Sequence, residues 1–147
     1  KREGLALRSG VQARLSNLIV TGFSDAGLAM EEATVAQARS GALSLQGALF
    51  FQNGPLGEAK NISDTTQLGM TAFDVKAWVL GQPGNLEADP LLRDPFNVSR
   101  PSFLPQPGSP ALQGGSAPAD PFFTPASYLG AFGSDDWTAG WTAYPEN

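Results

Sequence analysis

The side chains of this sequence that could carry chemistry are mostly carboxylates. Asp25, Glu31 and Glu32 lie close together in the first third of the chain, and Asp135 and Asp136 are adjacent near its end. Such groups suit a calcium site or the two-carboxylate mechanism of glycoside hydrolysis. The sequence has no His and no Cys, which excludes a Ser-His-Asp triad, a thiolate nucleophile and a thiolate-bound zinc. The basic residues nearest the first group are Arg8, Arg14 and Arg39.

Neither group of carboxylates forms a recognisable catalytic motif, and solvent-facing turns explain adjacent acidic residues equally well. We therefore predict no catalytic residue in this chain. We also predict no transition-metal centre, because soft and imidazole ligands are missing. Calcium is the one cofactor that the oxygen ligands would suit, with Asp135 and Asp136 as its weak candidates.

Seven aromatic residues between positions 122 and 144 are the second chemical feature. Trp and Tyr rings stack on sugars while neighbouring Asp side chains bind hydroxyls, so a carbohydrate site is one interpretation. The other is structural, because a domain of this size places aromatic residues in its core first. We favour the structural interpretation, which predicts that Phe122, Phe123, Phe132, Trp137 and Trp141 are mostly buried. The residues on which the carbohydrate interpretation depends are Tyr128, Trp137, Trp141 and Tyr144.

Composition indicates one folded domain. The 147 residues are 41% hydrophobic and 16% charged, which argues against disorder. The net charge of −5 at pH 7 argues against a nucleic-acid partner, since no basic patch could neutralise phosphates. No apolar run is long enough to span a membrane. The chain opens with Lys rather than Met, so it looks like a fragment or the end of a longer polypeptide.

The first 54 residues predict short strands that repeat. The segment 4–7 (Gly-Leu-Ala-Leu) returns at 27–30 (Gly-Leu-Ala-Met), and the character of 15–20 returns at 45–50. Repeats at such spacing are typical of solenoids. This pattern favours the coils of a parallel β-helix, with a β-sandwich as the alternative. A helix within 28–40 is the less favoured interpretation of that segment.

One helix is predicted after residue 54. Asp64 is its predicted N-cap, and Gly81 and Pro83 end it. Trp78 is interpreted as an anchor that packs this helix on the sheet rather than as a ligand platform. The predicted apolar face consists of Leu68, Ala72, Phe73, Ala77 and Trp78.

Proline-rich sequence follows the helix. The run 89–95 (Asp-Pro-Leu-Leu-Arg-Asp-Pro) is followed by 104–111 (Leu-Pro-Gln-Pro-Gly-Ser-Pro-Ala). This order resembles the segment that closes many bacterial right-handed parallel β-helix proteins of the pectate-lyase-like kind. The aromatic tail likewise resembles the C-terminal ends of secreted bacterial proteins. We divide the one domain into coils over 1–54, a loop and helix over 55–83, a final coil and closing segment over 84–115, and a tail over 116–147.

The resemblance implies a fold, a location and two classes of function. The fold is a mainly β, right-handed parallel β-helix with one inserted α-helix and an extended aromatic tail. The location is secreted or at the bacterial cell surface. The first class is a non-catalytic structural or binding module for attachment, assembly or carbohydrate contact, with a polysaccharide as a further partner. The alternative is the C-terminal part of a polysaccharide lyase or glycoside hydrolase whose active coils lie upstream.

The first predicted coil has nothing before it to cover its edge. An uncovered strand edge pairs with another chain or aggregates. We therefore expect another protein chain there, either an upstream fragment or a second copy stacked end to end. The residues expected in that contact are Leu5, Leu7, Leu15 and Leu18.

Overall fold

The computed structural model describes residues 2–54, 73–116 and 118–144. Within them the chain forms a small mixed α/β domain with two α-helices and three small sheets. The elements in order are β1 (Glu3–Leu7), β2 (Ala13–Thr21), β3 (Ala26–Met30), α1 (Glu32–Ser40), β4 (Leu43–Phe51), α2 (Val75–Leu80), β5 (Leu86–Glu87), β6 (Leu92–Asp94), β7 (Ser102–Pro105) and a 3-10 turn (Pro110–Leu112).

The predicted parallel β-helix is wrong. In the first sheet β1 pairs only with β3, and in the second the order is β2-β4-β5, all parallel. The third sheet is an antiparallel pair of β6 and β7, where the closing segment of a solenoid was expected. Helix α1 fills the connection between β3 and β4. A solenoid needs continuous stacked sheets, and the described residues contain no closed or solenoid sheet.

The spacing of the repeats reappears as the register of the parallel strands. Leu5 lies opposite Leu28, 23 residues on, and Leu15 lies opposite Leu45, 30 residues on. The second residue of each pair is fully buried, whereas Leu5 and Leu15 are half-buried. The repeats therefore identify strand neighbours, although the architecture built from them differs from the one expected.

Helix α1 corrects the preference for strands between residues 28 and 40. The strand there ends at Met30, and Glu32–Ser40 is helical. Gly41, with φ of 77°, ends the helix in the left-handed conformation that glycine accepts most readily. The helix buries only Thr34, Val35 and Ala38. Because only two of these are apolar, the sequence shows no clear apolar stripe from which the helix could be predicted.

Helix α2 begins at Val75, and its N-cap is Asp74, whose carboxylate accepts a 2.8 Å hydrogen bond from the amide of Ala77. The cap predicted at Asp64 lies outside the described residues, as do Leu68 and Ala72. Val75 and Val79 are fully buried, while Ala77, which was placed on the apolar face, is exposed. Trp78 packs partly buried against the core, in agreement with its interpretation as an anchor.

Two buried asparagines connect the layers of the core. The Asn85 side chain accepts a hydrogen bond from the amide of Ala48 and donates to the carbonyls of Leu45 and Val79, at 2.7–2.9 Å. Asn53 likewise donates to the carbonyl of Val20. The core around them consists mainly of Leu28, Met30, Leu43, Leu45, Phe50, Val75 and Val79.

Leu129 is the buried side chain that holds the tail to the domain. Leu129 is 2% exposed and packs with Leu49 and Ala111 in a second, smaller core. Its amide donates a 2.8 Å hydrogen bond to the carbonyl of Ala111, and the next amide, of Gly130, donates to the carbonyl of Asn17. One aliphatic side chain and two main-chain hydrogen bonds thus anchor the tail beside β2 and β4.

The predicted burial of the tail aromatics is wrong. Phe122 is 85% exposed, Trp137 is 55% exposed and Trp141 is 67% exposed. Phe123 is also exposed, and Phe132 is half-buried. The core is filled by side chains of the strands and helices, Phe50 among them, and the large rings of the tail lie mainly on the surface, where they contact one another.

Candidate functional site

Four aromatic rings form a column on the surface. Phe103 of β7 stacks on Phe132 with ring centroids 6.0 Å apart, Phe132 on Trp137 at 5.7 Å, and Trp137 on Trp141 at 5.6 Å. The first two pairs are nearly parallel, with interplanar angles of 20° and 18°, and the last is tilted by 35°. Offset stacking of this kind stabilises each pair by about 0.5–1.5 kcal/mol beyond the area it buries. We call these four residues the aromatic column.

Local backbone geometry explains why two indoles four residues apart belong to one column. The amide of Thr142 donates to the carbonyl of Thr138, closing one helical turn. This turn places residues 137 and 141 on one side. The indole N–H of Trp141 donates a 2.7 Å hydrogen bond to the carbonyl of Trp137, and that of Trp137 donates to Ala131 at 2.8 Å. Both rings are therefore fixed in orientation by the main chain.

A polar cleft of about 360 Å³ lies beside the column. Phe103 and Phe132 form its apolar wall, and Arg100, Asp136 and Tyr144 are its ionisable side chains. The remaining lining residues are small or carry hydroxyl groups: Ser99, Pro101, Thr138, Ala139, Gly140 and Thr142. Hereafter "the cleft" means this cavity.

Asp136 is positioned by the turn that it begins. Its Oδ1 accepts hydrogen bonds from the amide and the hydroxyl of Thr138, the former at 3.0 Å. The carbonyl of Asp136 also accepts from the amide of Ala139 at 3.2 Å. The other carboxylate oxygen, Oδ2, accepts no hydrogen bond from a described residue. A ligand hydroxyl in the cleft is a suitable donor for this oxygen.

Arg100 reaches the cleft from the opposite side, on the β6–β7 connection. The Oδ1 of Asn97 accepts hydrogen bonds from the amides of Ser99 and Arg100, at 3.2 and 3.0 Å. The side chain of Asn97 in turn donates to Asp94 of β6 at 2.9 Å. The guanidinium of Arg100 forms no ion pair with the described carboxylates. Its five N–H donors are therefore directed at solvent and the cleft.

The residues predicted for carbohydrate contact separate in the structure. Tyr144 lines the cleft, whereas Trp137 and Trp141 belong to the column beside it. Trp137 contacts the rings of both Phe132 and Trp141 and is 55% exposed. Tyr128 is not a lining residue, and its ring lies over Gly133.

Sequence reasoning missed three residues of the cleft: Arg100, Phe103 and Thr138. The spacing Asp-x-Thr at 136–138 and Asn-x-x-Arg at 97–100 are signatures of side-chain-capped turns. These spacings predict the two turns. They do not predict that the turns, more than 30 residues apart in sequence, lie side by side in the structure. That juxtaposition depends on the Phe103–Phe132 contact.

The other candidate carboxylates bind nearby groups of the fold. Arg8 lies 2.9 Å from Glu3 and 3.6 Å from Glu31, joining the end of β1 to the start of α1. Asp25 accepts a 3.1 Å hydrogen bond from the amide of Arg2. Arg39 lies over the ring of Phe73 at 5.6 Å. Glu32 and Arg14 do not line the cleft.

The two calcium candidates, Asp135 and Asp136, accept hydrogen bonds from neighbouring residues of the tail. Asp135 accepts a hydrogen bond from the hydroxyl of Ser134 at 3.2 Å, and Asp136 binds Thr138 as described. No group of three or more carboxylate, His or Cys side chains arranged to hold a metal occurs among residues 2–54, 73–116 and 118–144.

The four leucines expected at an interface lie on two edge strands. β1 and β2 each pair on one side only. Leu5, Leu15 and Leu18 are half-buried against the core, whereas Leu7 is 6% exposed. At the opposite edges of the two sheets, β3 is buried along its whole length and β5 is exposed.

No family model, no curated protein and no solved structure gave a significant match to this chain. Among the described helices none has the length and apolar character needed to cross a membrane.

Proposed function

We propose that this chain is a non-catalytic binding module that holds a neutral saccharide in the cleft. The observation that carries the proposal is the meeting of Arg100, Asp136 and Tyr144 against the wall of Phe103 and Phe132. Sugars combine apolar C–H faces with closely spaced hydroxyls. They therefore need aromatic surface and convergent donors and acceptors at the same place.

The charges in the cleft favour a neutral ligand. Arg100 supplies donors and Asp136 supplies acceptors, so adjacent hydroxyls of one ring, each both donor and acceptor, satisfy both side chains. An anion would gain from Arg100 but would be repelled by Asp136 at close range. The protein's net charge of −5 opposes anions further.

The size of the cleft agrees with this class of ligand. Its volume of about 360 Å³ lies at the lower end of the range of about 300–1,000 Å³ for small-molecule sites. We propose binding rather than turnover because, among the described residues that line the cleft, Asp136 is the one carboxylate, whereas glycoside hydrolysis ordinarily uses a pair. A secreted or cell-surface location forms part of the proposal, and its support is the resemblance of the tail to secreted bacterial proteins.

Immobilised neutral and acidic oligosaccharides provide the test. We expect binding to a subset of the neutral ones, and calorimetry on that subset should give a dissociation constant that rises at least tenfold in Arg100→Ala and in Tyr144→Ala. Arg14→Ala, which removes an exposed arginine of β2, is the matched control and should bind normally. Binding to no neutral saccharide, or to acidic ones alone, would overturn the proposal.

A second candidate function is assembly through the free edges of β1 and β2. Two observations favour it: each of these strands pairs on one side only, and the half-buried Leu5, Leu15 and Leu18 lie on them. We propose that a second copy covers these edges. A twofold axis brings identical edges together, so the leucines of each copy meet those of the other.

A further inference from the structure

A second, apolar cavity adjoins the cleft. It has a volume of about 260 Å³ and shares Phe103 and Phe132 with the cleft. Its other lining residues are Ile19, Thr21, Phe23, Leu92, Gly130 and Ala131. Hereafter "the groove" means this cavity.

The chemical contrast across the shared pair is sharp. On the cleft side lie Arg100, Asp136 and hydroxyl groups. Among the described residues that line the groove, none is ionisable and Thr21 alone carries a hydroxyl. Phe23 and Phe103, which line the groove, are 37% and 38% exposed. Apolar surface that stays open on a folded chain gains free energy when an apolar ligand covers it.

Because the two cavities share Phe103 and Phe132, we propose that the ligand is amphipathic: a neutral saccharide with an alkyl or acyl substituent. The sugar ring occupies the cleft, and the substituent crosses the edges of Phe103 and Phe132 into the groove. The inference rests on the proposed function, because it assigns the sugar to the cleft. It adds a class of ligand that the cleft alone does not specify.

The lining of the groove suits an alkyl or acyl chain. Gly130 lies in close contact with Ile19, since a Cβ at this glycine would come within 2.7 Å of the Ile19 side chain. Both residues line the groove. The carbonyl of Ala131 is already bonded to the indole of Trp137, so the groove wall offers little for a polar ligand to bind.

Matched glycosides that differ only in the substituent test the inference. Methyl and n-octyl β-glycosides of glucose, galactose and mannose are titrated into the fluorescently labelled protein. The octyl compounds are kept below their critical micelle concentrations. At least one sugar should bind in both forms, with the octyl form at least tenfold tighter, a gain equal to the burial of about two methylene groups. An octyl tetraethylene glycol ether, which carries the chain without a sugar, should bind more weakly than the octyl glycoside.

Variants locate the effect. Ala131→Glu places a carboxylate at the exposed lining of the groove and should reduce the octyl advantage to within about twofold, since an alkyl chain laid over the carboxylate would remove it from water. Ala36→Glu, at an exposed alanine of α1, makes the same change elsewhere and should keep the advantage.

The outcomes separate the two proposals. Equal affinity for methyl and octyl forms would overturn the amphipathic ligand while the saccharide function stands. Equal affinity for the octyl glycoside and the octyl ether would overturn the saccharide function, and binding of neither glycoside would overturn both.

Discussion

The indole nitrogen of Trp141 donates a 2.7 Å hydrogen bond to the main-chain carbonyl of Trp137, and the two rings lie 5.6 Å apart. Stacking alone would allow the two rings to slide past each other. The hydrogen bond to the main chain restricts the position of the Trp141 ring relative to that of Trp137. The aromatic column is thus a rigid support for Phe132, which forms part of the cleft wall. Its rigidity comes from the turn at 138–142.

Trp137→Ala should weaken saccharide binding without unfolding the protein. The change removes two ring contacts and one hydrogen bond from a residue that is half-exposed, so we expect a loss of about 1–3 kcal/mol in the free energy of unfolding. Affinity should fall at least tenfold because Phe132 loses the ring that holds it. Chemical denaturation and calorimetry measure the two effects.

Phe122→Ala is the control for that variant. Phe122 is 85% exposed and contacts the ring of Phe123 edge to face, so neither stability nor affinity should change appreciably. If Trp137→Ala bound saccharide as well as the wild type does, the column would have no part in the site.

Asn85→Ala should destabilise the domain strongly. It leaves the amide of Ala48 and the carbonyls of Leu45 and Val79 without the partners that Asn85 supplies in the core. Each unsatisfied buried group costs about 1–3 kcal/mol, and we expect a total loss of about 3–5 kcal/mol. The measurement is the free energy of unfolding in urea.

Asn97→Ala is matched to Asn85→Ala in side chain and in number of hydrogen bonds, but its site is exposed. Water can replace each lost bond there, so the expected cost is below about 1 kcal/mol. A similar loss for both variants would show that burial of Asn85 does not contribute as described.

Leu5→Lys should prevent self-association through the β1 edge. A lysine on an edge strand brings like charges together in the twofold pair and opposes edge-to-edge pairing. Light scattering on a size-exclusion column should show a concentration-dependent dimer for the wild type and a monomer for the variant, with circular dichroism confirming the fold. Val98→Lys, at a residue that is 82% exposed, should still dimerise.

A wild-type protein that stays at 15.4 kDa over the full range of concentration would contradict the assembly candidate. It would leave the saccharide site untouched, because the edges of β1 and β2 share no residue with the cleft.

Local patterns predict the strands of this fold better than its architecture. The pairing of Leu5 with Leu28 and of Leu15 with Leu45 could be anticipated, because residues that repeat along the sequence occupy equivalent positions in neighbouring strands. The same patterns did not predict α1, because its buried Thr34 and Ala38 do not stand out as a hydrophobic face in the sequence. They also could not show that parallel pairing ends after two or three strands.

The site was harder to predict than the fold for a physical reason. Arg100 and Asp136 are ordinary charged residues in the sequence. They line one cleft because tertiary contacts, among them the stacking of Phe103 on Phe132, hold the tail beside β7. The aromatic tail suggested either a core or a sugar platform. The exposure of its rings rules out the core, and two of its aromatic residues, Phe132 and Tyr144, line the cleft.

The most direct test of the saccharide site uses the three indole N–H signals in a proton–nitrogen correlation spectrum. During titration with a neutral saccharide that binds, the signals of Trp137 and Trp141 should shift together with the backbone amides of Arg100 and Thr138. The signal of Trp78, on α2, should stay in place as an internal reference. Shifts confined to Trp78, or spread evenly over all three indoles with no change at Arg100, would contradict the assignment of the cleft as the binding site.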